Sequence, residues 1–285
     1  MITGYGMRLI YPEYNFPETL NPAFIGKEYR PSFEHTFSNY YFRICYNYSA
    51  QRRQNMIWGG IQKLTLLDYP DKTACTLFTA GCNYKCPFCH NAALINRTGH
   101  IPTIATAAML DFLKTRRGLL DGVCISGGEP LLHKDLGDFL SEVKTLGFLV
   151  KLDTNGSFPD ELVKLVESGA VDYVALDIKN VPEKYGQTIG MPDYDIAPIE
   201  KSKSFLLSGT VPYEFRTTVV RELHTEEDLL SLAAWIKGAA KYYLQSFIDS
   251  GDVLKNGLTG YSATEMQLML GKIKAALPCA ELRGA

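Results

Sequence analysis

The sequence predicts an α/β fold on a parallel sheet. Short apolar runs alternate with amphipathic stretches from Thr73 onward, the connections between them are short, and glycine or proline stops most of the amphipathic stretches. Repeated βα units demand parallel strands, and right-handed crossovers put their helices on the outside. About six strands are expected, so a curved, open barrel, a partial (β/α)6 TIM-type barrel, is the economical solution. An open doubly wound sheet satisfies the same pattern. In either architecture ligands bind at the C-terminal ends of the strands.

The elements follow in order. Residues 74–79 form a short apolar run and the first strand. The first helix, 104–117, follows Pro102 and Thr103 and is stopped by Gly118. A second strand at 120–125 precedes a helix whose Leu136, Phe139, Leu140, Val143 and Leu146 make a helical stripe closed by Gly147. The third strand is 148–152. Ser157 with Asp160 reads as a capping box and Pro159 suits the first turn of a helix that runs to Gly169. The fourth strand, 173–178, is followed by a helix at 199–207, a fifth strand at 214–220, and a helix capped by Thr225 and Asp228 and ended by Gly238. Residues 241–247 form the sixth strand, and Ser262 with Glu265 caps a last helix stopped by Pro278.

Length and composition set the frame for these elements. The chain has 285 residues, 46% hydrophobic and 21% charged, enough for one large domain with its own core. A net charge of −2 gives no reason to expect nucleic acid or an anionic membrane as partner. Seven cysteines without a secretory signal point to a reducing, cytoplasmic setting, and no apolar run reaches the roughly 18 residues of a membrane span. Residues 1–55 are rich in Tyr, Phe, Pro and Asn without a sustained period, and read as an irregular leader or N-terminal extension ahead of a domain at 56–285.

Polar motifs gather at the predicted strand ends. Cys82, Cys86 and Cys89 follow the first strand, and Ser126-Gly127-Gly128-Glu129 the second. Asp153-Thr154-Asn155-Gly156 follow the third, and Asp177 and Lys179 the fourth. Arg216 lies in the fifth strand and Gln245 in the sixth. Each motif alone is weak, since Gly-Gly-Glu and Asp-Thr-Asn-Gly are common turns and a lone Lys or Arg is usually solvated. Their succession on consecutive strand ends describes one rim. His100, His133 and His224 fall in loops or helix starts, where exposure is the default. Cys75 and Cys124 read as core, and Cys45 and Cys279 lie outside the motif.

The cysteines are spaced C-x3-C-x2-C within Gly81–Asn91. Three thiolates on one short loop leave one iron of a [4Fe–4S] cluster without a protein ligand. Zinc is the alternative, but structural zinc sites take four ligands and only His90, adjacent to Cys89, could complete the set. The segment resembles the signature of radical S-adenosylmethionine (SAM) enzymes. With Ser126–Glu129, Leu152–Gly156, Leu176–Lys179 and Arg216–Val220, the resemblance narrows to the glycyl-radical enzyme activases, typified by pyruvate formate-lyase activating enzyme, over residues 56–250. The opening Ile57–Pro70, with Tyr242–Phe247 and Leu282-Arg283-Gly284, is more similar to the branch of anaerobic ribonucleoside-triphosphate reductase activating proteins.

This resemblance implies a radical SAM barrel with one [4Fe–4S] cluster on Cys82, Cys86 and Cys89. SAM would be lined by Gly127, Gly128, Glu129, Asp177, Ile178, Lys179 and Arg216, with Lys179 and Arg216 suited to its carboxylate. Phe88 and His90 would contact adenine or order the loop, and Gln245 stands where the typifying activase carries a histidine. Glycines at 127 and 128 would admit the SAM amino group to the backbone. Asp153 and Asp177 are expected to share a proton or bind a cation, and the family implies a monovalent cation on Asp153, Thr154, Asp177 and the Ala175 carbonyl. Asn91–Asp121 holds no second cysteine cluster, so electrons would come directly from flavodoxin or ferredoxin. The implied reaction cleaves SAM to a 5′-deoxyadenosyl radical that takes a hydrogen from a glycine of a partner enzyme. A small-molecule substrate, or a partner of the pyruvate formate-lyase type, is the alternative.

Overall fold

The computed structural model describes residues 56–95, 103–249 and 251–284. The expected leader, Cys45 and His100 lie outside the described residues. Among the described residues one sheet carries eight strands in chain order: β1 (Trp58–Thr65), β2 (Ala74–Thr79), β3 (Gly122–Gly127), β4 (Leu149–Thr154), β5 (Tyr173–Asp177), β6 (Tyr213–Val219), β7 (Tyr242–Ser246) and β8 (Ala280–Leu282). β1 runs antiparallel to β2, and every later pair is parallel. β1 and β8 do not pair, so the sheet is an open, partial barrel rather than a closed one.

Helices α1 (Ala92–Ile95), α2 (Thr106–Lys114), α3 (Leu136–Thr145), α4 (Pro159–Glu167), α5 (Pro182–Thr188), α6 (Ala197–Leu207), α7 (Glu226–Trp235) and α8 (Ala263–Ala276) connect the strands. No helix among the described residues is long and apolar enough to cross a membrane. The six strands expected from pattern are β2 to β7, shifted by up to two residues at their ends. The two flanking strands gave no usable pattern: Gly59-Gly60 and Gln62-Lys63 interrupt the apolar run in β1, and β8 has only 3 residues. The first helix is shorter than expected, ending at Lys114, with a turn carrying the chain to Gly118 at φ +74.

Strand alternation sorts the sheet into an apolar and a charged face. Val150, Leu152, Val174, Leu176 and Phe215 join the core that the helices cover. Their neighbours Lys151, Asp153, Ala175, Asp177, Glu214 and Arg216 point to the opposite face, because successive side chains in a strand alternate. The stripes Leu136, Phe139, Leu140, Val143 and Leu162, Leu165, Val166 are all buried.

Two of the three expected capping boxes form, at Thr225–Asp228 and Ser262–Glu265. The third does not. Phe158 precedes α4 without a side-chain cap, while the Ser157 hydroxyl donates to Asn155 Oδ1 at 2.6 Å and accepts from Asn83 Nδ2 at 2.9 Å. Ser157 serves the cysteine loop instead of the helix.

Candidate active site

The cysteine loop leaves β2 through Ala80 and Gly81, whose backbone is pinned on several sides. Gly81 N donates to Leu94 O at 2.6 Å, Ala80 N to Ile57 O at 2.8 Å, and the His133 ring meets Ala80 O at 3.0 Å. From across the sheet, Glu129 N reaches Gly81 O at 2.9 Å and Gly128 N reaches Thr79 O at 2.9 Å. A Cβ on Gly128 would lie 2.0 Å from Gly81 O, and one on Gly127, at φ +112, would lie 2.4 Å from the Thr79 backbone. These glycines therefore let the end of β3 press against the root of the cysteine loop, a packing demand separate from the ligand access expected of them. The Gly127 carbonyl is taken by Asn91 Nδ2 at 3.1 Å.

The rest of the loop is clamped by aromatic and backbone contacts. Tyr84, between the first two cysteines, is buried and donates to the Tyr194 hydroxyl at 2.7 Å, with Tyr185 stacked beyond it. Lys85 N donates to Ile189 O at 3.0 Å, and Lys255 N to Pro87 O at 3.0 Å. His90 lies within 2.9 Å of Ile248 O and stacks on Phe247 with ring centroids 5.3 Å apart. Phe88 is buried, and Lys179 Nζ stands 5.9 Å from its ring centre.

Cys86 is buried, and Cys82 and Cys89 are half-buried. Burial pushes the Cys82 thiol up to about 11 and Cys86 up to about 12, with Cys89 raised for the same reason. Lys179 opposes the rise at all three, so its charge faces the trio. The Cys82 sulfur also meets Asn155 Nδ2 at 3.9 Å and Tyr84 N at 3.4 Å. Among the described residues no three His, Cys, Asp or Glu side chains converge as a single metal ion would require. Three unpaired thiols on one clamped loop, facing a cation, fit the donor set of an iron–sulfur cluster, whose irons sit at separate corners.

Asp153 and Asp177 do not face each other as a bare pair. Arg216 lies between them, with Nε 2.9 Å from Asp177 Oδ1 and Nη1 3.2 Å from Asp153 Oδ2. Lys179 Nζ holds Asp177 Oδ2 at 3.1 Å, and the fully buried Lys151 holds Asp153 Oδ1. Burial alone would raise both carboxyls, but Arg216 with Lys179 or Lys151 outweighs it and keeps both below the usual carboxylate range. Both carboxylates are thus paired with protein cations. Ala175 is buried in β5 opposite Asp153, and Thr154 donates to Glu129 Oε1 at 2.8 Å.

Glu129 is fully buried. Its carboxylate accepts from Thr154 Oγ1, from Asn155 N at 2.7 Å and from Leu131 N at 3.1 Å. Burial pushes it up to about 7 against those three donors. Ile178 is buried, its carbonyl bonded to Thr217 Oγ1 at 2.8 Å, and Gln245 is half-buried on β7 opposite Thr218. His133 and His224, expected to be exposed, are both buried. Sequence reasoning also missed Lys151, Glu214, Tyr84 and Tyr194. A lysine two residues before Asp153 in an otherwise apolar strand was the available signal for the first.

Comparison with known proteins decides the family. The Radical SAM superfamily model matches residues 76–206. A protein of Methanocaldococcus jannaschii named "Putative glycyl-radical enzyme activating enzyme" is 34% identical over 198 residues, 66% of this chain and 79% of that protein. The chain belongs to the radical SAM superfamily. As a radical SAM enzyme it catalyses redox-type chemistry, and the family implies a [4Fe–4S] cluster and SAM. Another relative, named a probable GTP 3′,8-cyclase, from Pyrobaculum aerophilum, is 27% identical over 58% of this chain, which spans 54% of that protein. Streptococcus suis SuiB, solved bound to precursor peptide SuiA, has a similar fold at a TM-score of 0.61 and 13% identity, over 92% of this chain and 57% of its own.

Proposed function

We propose that this radical SAM enzyme is an activase that installs a glycyl radical on a partner enzyme, the anaerobic ribonucleoside-triphosphate reductase. One observation supports it above the others: the trio of cysteines is docked on the same strand-end rim as Lys179 and Arg216, in a chain 34% identical to a relative named for activating glycyl-radical enzymes. Cys82, Cys86 and Cys89 hold the cluster. Gly127, Gly128, Asp177, Ile178, Lys179 and Arg216 line the SAM site, with Lys179 and Arg216 set toward its carboxylate. Asp153 and Asp177 keep Arg216 charged and fixed in orientation; a monovalent cation at Asp153, Thr154, Asp177 and Ala175 would have to compete with Lys151 and Arg216.

A reduced [4Fe–4S] cluster with SAM supplies a 5′-deoxyadenosyl radical, and flavodoxin or ferredoxin supplies the electron. The protein's part is to bind and orient SAM and to exclude water.

Anaerobically reconstituted protein, mixed with SAM, a reductant and a candidate glycyl-radical enzyme, should give a glycyl doublet by EPR, and Cys86→Ala should abolish it. The relation to a protein named for cyclising GTP favours a second reading, a small-molecule substrate. Release of 5′-deoxyadenosine without a doublet on any candidate partner would select that reading.

A further inference from the structure

A chain of alternating charges, fully buried at Glu214 and Lys151, runs through the charged face of the sheet and ends at Lys179 on the rim read as the SAM site. At its far end, Arg283 donates from Nη1 and Nη2 to the two oxygens of Glu214 at 2.7 and 2.8 Å. Its guanidinium lies 3.7 Å from the Tyr243 ring centre, and its backbone N donates to Leu244 O at 3.0 Å. Glu214 is fully buried and also accepts from the Tyr173 hydroxyl at 3.2 Å. Lys151 Nζ is 4.0 Å from Glu214 and bonded to Asp153; Asp153 continues to Arg216, Arg216 to Asp177, and Asp177 to Lys179.

The chain begins and ends on a cation. Arg283, Lys151, Arg216 and Lys179 face three carboxylates, Glu214, Asp153 and Asp177, so one positive charge is in surplus. We infer that Arg283 is a positioning residue for the rim: by neutralising Glu214 it leaves that surplus at Lys179 and Arg216, where an anionic ligand group can take it. This rests on the reading that those two residues receive the SAM carboxylate.

Removal of Arg283 leaves a buried carboxylate whose nearest cation is Lys151. A buried charge left unpaired is costly, so Lys151 is drawn toward Glu214 and away from Asp153. Asp153 then depends on Arg216 alone, and the guanidinium is held more tightly by the protein. The ligand's carboxylate must compete with Asp153 and Asp177 for cations that no longer exceed them.

The test is the SAM dissociation constant of the full chain carrying its cluster, for wild type, R283Q, E214Q and R283Q/E214Q, with iron content and melting midpoint measured in parallel. R283Q should weaken binding by roughly five- to tenfold, within the range of ordinary long-range coupling. E214Q should tighten it, because the surplus grows. The double variant should return to within about twofold of wild type. A merely structural ion pair predicts weaker binding in both single variants, and that result overturns the inference; so does an R283Q affinity equal to wild type. If R283Q does not fold, E214Q decides alone, and unchanged or weaker binding overturns the proposal. Arg216→Lys separates the two levels: should it leave SAM affinity intact, the rim reading fails; should it weaken binding while R283Q does not, only the role of Arg283 fails.

Discussion

His224 lies with Nε2 2.8 Å from the backbone oxygen of Lys179, and its Nδ1 lies 3.1 Å from the backbone N and 3.2 Å from the backbone oxygen of Val220. Nε2 meets an acceptor, and Nδ1 meets both an amide donor and a carbonyl acceptor, so the ring is held at both nitrogens. Lys179 thereby has its backbone fixed on both sides, since its own N donates to the Tyr185 hydroxyl at 3.4 Å.

Burial lowers the His224 pKa below its ordinary value, despite the opposing bonds to Lys179 and Val220. The unfolded chain then takes up a proton below about pH 6.5 that the folded protein refuses, so stability falls as pH drops through that range. His224→Gln, which keeps a donor for Lys179 O, should cost about 1–2 kcal/mol at pH 7.5. It should also flatten the slope, by up to about 1.4 kcal/mol per pH unit between pH 6.5 and 5.5. Urea denaturation of both proteins at the two pH values measures this difference, and equal slopes would refute the assignment.

The cysteine trio predicts how the cluster assembles. With Cys82 at about 11 and Cys86 at about 12, both raised by burial, the thiols of metal-free protein are protonated at neutral pH, whereas iron requires thiolates. Loading must expel protons, so its rate should climb as pH rises from 7 to 9. Cys86→Ser should lose most of its iron while retaining the wild-type circular dichroism. Iron assay after anaerobic reconstitution reads both effects.

Glu129 is placed to hold two strand ends together. Its carboxylate takes donors from Leu131, Thr154 and Asn155, while its own N reaches Gly81 at the root of the cysteine loop. Glu129→Gln would turn an amide NH2 toward N–H donors and leave at least one buried group unsatisfied. The expected loss is about 1–3 kcal/mol in denaturant unfolding. Stability equal to wild type would show that the carboxyl is already protonated, as its rise to about 7 by burial allows, and that it can exchange donor roles.

The sheet was legible because its core strands are short apolar runs punctuated by glycine, and each of these glycines, Gly118, Gly147, Gly169 and Gly238, adopts positive φ where a helix or turn ends. Local capping read correctly where the hydroxyl had no tertiary competitor, at Thr225 and Ser262, and failed at Ser157, where Asn83 from a distant loop claims it. The candidate site was legible as motifs but not as a network. Lys151 and Glu214 carry no motif of their own, and Leu282-Arg283-Gly284 gave no hint of a partner for Arg283. Only the register that sets Asp177 beside Arg216, and Ala175 beside Glu214, shows that they form one chain of charges. His224 was misjudged for the same reason, its partners lying 45 residues away at Lys179 as well as in its own turn.

Gly128 offers the sharpest test of how the rim is joined to the cysteine loop. The Gly128 N–H bonds Thr79 O, and the next N–H bonds Gly81 O, which stitches the end of β3 to the chain immediately before Cys82. A methyl at Gly128 would sit 2.0 Å from Gly81 O, and the obstacle is backbone, which cannot rotate away as a side chain can. Gly128→Ala must therefore push the two segments apart, breaking both bonds and moving Cys82 relative to Cys86 and Cys89. Gly137 is the matched control, since its Cβ would meet only a Leu165 methyl at 3.3 Å. Gly128→Ala should lower iron incorporation several-fold and cost about 2–3 kcal/mol, the range for overpacking and lost hydrogen bonds. Gly137→Ala should leave iron content unchanged. Equal iron loading in both variants would mean that the loop is positioned by its other contacts, the Tyr84–Tyr194 clamp among them, and that the glycine pair is there for the ligand rather than for the fold.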